Sequence, residues 1–172
     1  SAEERRILQT QLERGINTVP TSSMGRLFDS VASLIGIGHD SLYEAHAAMA
    51  LESIAEASDV VYDFSIDTRQ RPYQIDPTLV LQGIIQDMRM HVPAPIIAGR
   101  FQASVVALVE QIAHLLRRDT DVTRIALSGG VFQNRYLLYQ ARQRLMTAGF
   151  DVLTHHIVPP NDGGIALGQA VV

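Results

Sequence analysis

The chain has 172 residues, 47% hydrophobic and 19% charged side chains, and a net charge of −4. This is the size of one domain with an ordinary globular balance, which excludes a disordered chain, and an acidic balance gives no overall basic field to recruit nucleic acid. There is no cysteine, so disulfides and thiolate metal sites are excluded.

No apolar run approaches the roughly 18 to 20 residues of a membrane span. The charged start, SAEERR, is unlike a signal peptide, and a cytoplasmic location is expected. The first residue is not Met, so the chain reads as a piece of something longer.

In chain order, residues 3–14 are polar with Ile7, Leu8 and Leu12 repeating, a short helix ending at Gly15. INTVPTSS is a loop rich in cap residues. Leu27, Phe28, Val31, Leu34 and Ile35 mark one face of a helix over 25–36, broken by GIGHD. Residues 42–57 are rich in strong helix formers. VVYDFSI, 60–66, predicts a strand, and RQRPYQI a second extended piece, since Pro72 forbids helix there. A helix starts at Asp76-Pro77, with Val80, Ile84 and Met88 on its face. A longer one over 98–117 carries Phe101, Val105, Leu108, Ile112 and Leu115. The end reads as strand (VTRIAL), helix (131–147), strand (DVLTHH) and helix (163–171). The expected class is α/β: a helix-rich N-terminal two-thirds followed by βαβα with a mainly parallel sheet.

Two glycine pairs stand out in that ending. Ser128-Gly129-Gly130 falls at the carboxyl end of a strand, where open α/β sheets bind ligands. Glycine lets backbone N–H groups approach a ligand closely, and a helix start behind them suits phosphate. Asn134, one turn into the expected helix, is placed to reach such a ligand. The plainer reading is a tight βα connection. The pattern is neither GxGxxG nor a P-loop, and Ser128 is not in a nucleophile elbow.

Asn161-Asp162-Gly163-Gly164 precedes the last helix. Asp162 reads either as a helix cap or as a carboxylate aimed at the cleft of the first turn, where it could hold a metal. The six histidines form no HxxxH or HExxH pair, and His155 and His156 point to opposite faces of a strand. Asp29 is either a solvated helix residue or a ligand contact. Tyr43 and Glu44 are expected to begin a helix, where an acid favours the dipole. Arg135, Arg142 and Arg144 form a solvated face.

Three segments, TSSMGRLFDSVASLIG, LSGGVFQNRYLL and VPPNDGGIALGQA, resemble successive motifs of the HypF family, the carbamoyltransferases of NiFe-hydrogenase maturation. Between them, YEAHAAMALE and IIAGRFQASV are similar to two further segments of that family. The resemblance runs from about residue 10 to the end. More distant kin are the TsaD enzymes of tRNA modification and the NodU-type O-carbamoyltransferases.

The resemblance implies that residues 1–172 are the C-terminal portion of a HypF-like transferase domain, the second half of an actin-like ATPase (ribonuclease-H-like) fold with nucleotide between its halves. It implies that Ser128, Gly129 and Gly130 approach the phosphates of ATP or carbamoyl-adenylate and that Asn134 contacts the nucleotide. Asp29, with Gly25 near it, would lie at the nucleoside, flanked by Tyr43 and Glu44. Asp162 would be one ligand of a divalent metal, zinc or iron, completed by two histidines that this sequence lacks. The implied acceptor is the C-terminal cysteine of a HypE-like partner, with no nucleic acid or membrane involved.

Ala45-His46 stands where the family has Gly-Gln, and Gln102 where it often has His. The chain by itself is expected to be inactive, and its exposed half-domain face is a candidate for self-association. Alternative readings are an O-carbamoyltransferase, a TsaD-like tRNA modifier and a non-catalytic docking module.

Overall fold

A computed structural model describes residues 1–39 and 42–171. Among them lie helices α1 (Ala2–Arg14), α2 (Met24–Leu34), α3 (His46–Ile54), α4 (Thr78–Arg89), α5 (Ala94–Thr120), α6 (Arg135–Thr147) and α7 (Ile165–Val171). Four short strands, β1 (Ser65–Asp67), β2 (Gln74–Asp76), β3 (Arg124–Leu127) and β4 (Asp151–Thr154), complete the set. The α/β class and the C-terminal βαβα order stand as expected.

α5 is the spine. It is longer than its apolar stripe suggested, running from the turn after Pro93 to Asp121, whose left-handed φ of 57° ends it. By length and composition alone it could cross a membrane, where the sequence reading found no apolar run of that length. Here 61% of its 18-residue apolar stretch is buried, because α5 serves as the core helix of the fold. Its first half packs with α2, α3 and α4 around Phe28, Val31, Leu51, Val80, Ile84, Ile97 and Phe101. The Phe28 and Phe101 rings meet edge to face at 4.8 Å. Its second half shares a smaller cluster with the βαβ unit: Ala113, Leu127, Ala141, Leu145 and Phe150.

β3 and β4 pair in parallel from Arg124 with Asp151 to Leu127 with Thr154, with α6 as the crossover. β1 and β2 form a separate antiparallel hairpin. The strand expected over 60–66 shrinks to 65–67 for a specific reason. The Tyr62 N–H donates to Ser104 Oγ on α5 at 2.7 Å, so this stretch bonds to a side chain and not to a sheet neighbour. The Tyr62 hydroxyl donates to Asp87 at 2.6 Å, and Arg100 donates to the same carboxylate oxygen at 2.7 Å. The extended segment is thereby tied to α4 and α5, and buried Asp87 has both a donor and a counter-charge. Gly99 makes the approach possible: a Cβ built there would sit 1.6 Å from the Glu56 carbonyl oxygen.

Other boundaries moved. The helix expected over 42–57 begins at His46, because Ala45 takes φ 59° in the left-handed region. The helix expected from 131 is split into a 3-10 turn, Gly130–Gln133, and α6. The last helix is likewise preceded by a 3-10 turn, Asp162–Gly164. α1 ends at Gly15 as read, with a capping box from Ser1 and Glu4, and it contains no buried residue.

Candidate functional site

The two glycine turns come together at the carboxyl ends of β3 and β4. The Gly129 N–H donates to the Pro160 carbonyl at 2.7 Å, and a Cβ on Gly130 would lie 3.8 Å from that of Asn161. Gly129 has φ 103°, a conformation that side chains rarely adopt. Its own N–H is therefore spent on joining the turns. Gly130 and Val131 open the 3-10 turn, so their N–H groups have no helical carbonyl to bond and remain as donors.

Asn134 sits at the N-cap of α6 and not one turn inside it. Its Oδ1 accepts from the Leu137 N–H at 2.8 Å and its Nδ2 donates to Gln102 Oε1 at 3.0 Å. Both ends of the amide are thus engaged within the protein. Gln102 is fully buried, and its Nε2 has no hydrogen-bond partner among the described residues. The next residue, Arg135, gives its N–H to the Glu52 carboxylate at 2.8 Å. An internal carboxylate therefore occupies the positive end of α6, which leaves the 3-10 turn as the donor surface beside β3.

On the second turn, the capping residue is Asn161, whose Oδ1 accepts from the Gly163 N–H at 3.1 Å. Asp162 is released from that task. Its carboxylate is exposed and makes no hydrogen bond or ion pair among the described residues. Among those residues no group of three His, Asp or Glu side chains could hold a metal ion. By donor chemistry Asp162 is a single ligand and does not make a metal site by itself.

An open cleft of about 530 Å³, within the range of small-molecule sites, lies beside α2. Arg26, Asp29, Ser30 and Ser33 line it from α2, and Gly38, His39 and Ala47 from beyond it. Arg26 Nη1 meets Asp29 Oδ2 at 3.2 Å in an exposed pair, and Ser33 Oγ is 3.1 Å from His39 Nδ1. Gly25 lies in the first turn of α2, whose Ser23 cap accepts from the Arg26 N–H. The half-buried Met24 and Leu27 of α2 pack against the same apolar core as Val131 of the 3-10 turn and Tyr136 of α6. Tyr43 and Glu44 precede α3 and do not begin it, and neither lines the cleft. The Tyr43 ring rests on His46 at 4.6 Å.

The structure adds three residues that the sequence reading did not place at the site. Glu52 reaches α6 from 83 positions away. Gln102 holds Asn134, and His155 Nε2 lies 2.9 Å from Ser128 Oγ. β4 ends at Thr154, so the expected strand stops short of both histidines, and His156 turns back to Thr154 Oγ1 at 3.4 Å.

Comparison with known proteins gives a consistent result. The family model described as carbamoyltransferase, Kae1-like domain, second subdomain, matches residues 1–169. The carbamoyltransferase HypF of Synechocystis is 36% identical over 151 residues, covering 87% of this chain and 19% of the relative. That of Rhodobacter capsulatus is 37% identical over 160 residues, covering 92% and 20%. The chain therefore spans about a fifth of the length of these curated relatives. The crystal structure of full-length HypF in its phosphate- and nucleotide-bound form superposes with a TM-score of 0.95 at 43% identity, covering 99% of this chain and 23% of that one. The structure of T. kodakarensis HypF gives 0.81 at 29% identity, covering 98% and 22%.

Proposed function

The chain belongs to the HypF carbamoyltransferase family, and from that premise we propose that it forms one wall of a nucleotide cleft used for carbamoyl transfer. In this reading residues 1–172 are the second half of an actin-like ATPase domain. ATP, and carbamoyl-adenylate made from it and carbamoyl phosphate, lie against that half. The observation that carries the reading is the joining of the two glycine turns by the Gly129–Pro160 bond at the carboxyl end of a parallel pair.

Ser128, Gly129 and Gly130 lie at the phosphate, with the Gly130 and Val131 N–H groups as its donors. The Asp29 cleft takes the nucleoside, with Gly25 one residue before its lining Arg26 and with Tyr43 and Glu44 outside its lining, in the turn that leads into α3. Asn134 contributes by fixing the start of α6 beside the phosphate turn. In the transfer step a thiolate attacks the carbamoyl carbon, a C–S bond forms and the C–O bond to the phosphate breaks. AMP departs with the electron pair, and the acceptor's thiol proton goes to solvent. Backbone N–H groups that receive the growing phosphate charge favour that departure.

The acceptor is the C-terminal cysteine of a HypE-like protein. Asp162 would supply one donor to a zinc or iron ion whose other ligands would come from outside the described residues, and no step here is routed through it.

Two measurements test this. The 172-residue chain given carbamoyl phosphate, ATP and a HypE-like acceptor is expected to show no turnover, because it carries one wall of the cleft; turnover would refute the half-site reading. AMP binding followed by calorimetry is expected to weaken by roughly tenfold in Asp29→Ala, the loss of a charge-assisted hydrogen bond. Undiminished binding would remove the nucleoside assignment. In whichever longer enzyme carries this sequence, a sugar alcohol and a tRNA offered beside the HypE-like protein decide the acceptor.

A further inference from the structure

We propose that His155 is a positioning residue for the phosphate end of this cleft, acting through the hydroxyl of Ser128. The proposal rests on the phosphate reading of the Gly129–Gly130 turn. β3 and β4 are in register up to Leu127 and Thr154. Ser128 and His155 are the first residues past the two strands, so the register brings them side by side where the backbone ladder stops. There the side chains take over, with Nε2 and Oγ 2.9 Å apart.

The fold does not need this bond. Both residues are exposed, and the strand ends are already held by the four-residue ladder and by the Gly129–Pro160 bond. What the bond controls is the direction of one hydroxyl. Ser128 has a single donor hydrogen, and imidazole can accept through Nε2 or donate through it, depending on the tautomer. When Nε2 accepts, the hydroxyl hydrogen is committed to the ring. When Nε2 carries the proton it donates to Oγ, and the Ser128 O–H is free to donate outward. A phosphate group beside the Gly130 and Val131 N–H groups accepts only and donates nothing when ionised. Its arrival therefore selects the Nε2–H form of His155, and His155 converts the serine into a third donor.

The test uses the ¹⁵N-labelled chain titrated separately with adenosine, AMP and inorganic phosphate, observed by NMR. AMP is expected to bind more tightly than adenosine. The ring nitrogens of His155 are expected to move to the Nε2–H pattern with AMP and phosphate but not with adenosine. His155→Phe and Ser128→Ala are expected to weaken AMP roughly fivefold while adenosine is unchanged. His155→Gln, whose amide nitrogen reaches the place of Nε2, is expected to recover wild-type AMP affinity within about twofold.

If AMP binds His155→Phe as it binds wild type, and still more tightly than adenosine, the role of His155 is overturned while the nucleotide cleft survives. Equal loss of adenosine and AMP in the variants would assign the bond to folding and also overturn the proposal. If wild type binds AMP no better than adenosine, or binds neither, the phosphate reading falls and this inference with it.

Discussion

Ala45 carries a cost that its position explains. It stops the chain from entering α3 early by taking φ 59°, where a Cβ crowds the following carbonyl at about 1–2 kcal/mol. The residue is exposed, so its methyl gains nothing from packing in return. Glycine is the one residue for which this conformation is unstrained. Ala45→Gly is therefore expected to stabilise the chain by about 0.5–1 kcal/mol, once the greater freedom of glycine in the unfolded chain is subtracted. An unchanged or lower urea midpoint would contradict this. Asn134 teaches a related lesson. The sequence marked it as a residue with a task, but its amide is shared between Leu137 and Gln102, so its link to a ligand runs through the start of α6.

At the scale of elements, the helices were legible because their apolar residues recur at helical spacing, and α1, α2 and α6 also start at capping side chains. The strands were less so. β1 is three residues long, and the stretch before it is held by Tyr62, Ser104, Asp87 and Arg100, contacts 13 to 42 positions apart that no local pattern encodes. This network gives a pH signature. The Tyr62 hydroxyl is held well above its ordinary value, first by burial and then by its bond to the Asp87 carboxylate. A group whose pKa is raised by folding contributes stability that is complete below its unfolded value, about 10 for tyrosine, and is lost as pH rises beyond it. The urea midpoint is thus expected to hold near pH 9 and fall above about pH 10. Tyr136, also raised by burial, adds to that fall, so the informative quantity is the difference from Tyr62→Phe. That variant is expected to lose about 1 kcal/mol at neutral pH and to show a shallower alkaline fall. The same alkaline slope in both proteins would mean that Tyr62 does not couple α4 and α5 to the extended segment.

At the scale of the whole molecule, the two motifs of the site were visible in the sequence, but their meeting was not, since it depends on the β3–β4 register and on one backbone bond from Gly129 to Pro160. Helix α1 shows the opposite limit. The repeat of Ile7, Leu8 and Leu12 reads as a short helix, and it is one, yet those side chains are 51%, 58% and 72% exposed. Periodicity reports that a face is apolar, and only the packed structure reports whether that face meets the core. The core here is built by α2 to α6 without it. Removal of residues 1–15 is therefore expected to leave the urea midpoint and slope unchanged, within about 0.5 kcal/mol, because no buried contact is lost. Leu51→Ala, by contrast, empties a fully buried position and is expected to cost about 2–5 kcal/mol. A truncated chain that lost as much as the Leu51 variant would show that α1 closes over the core in solution and that the domain's stability begins at its first turn.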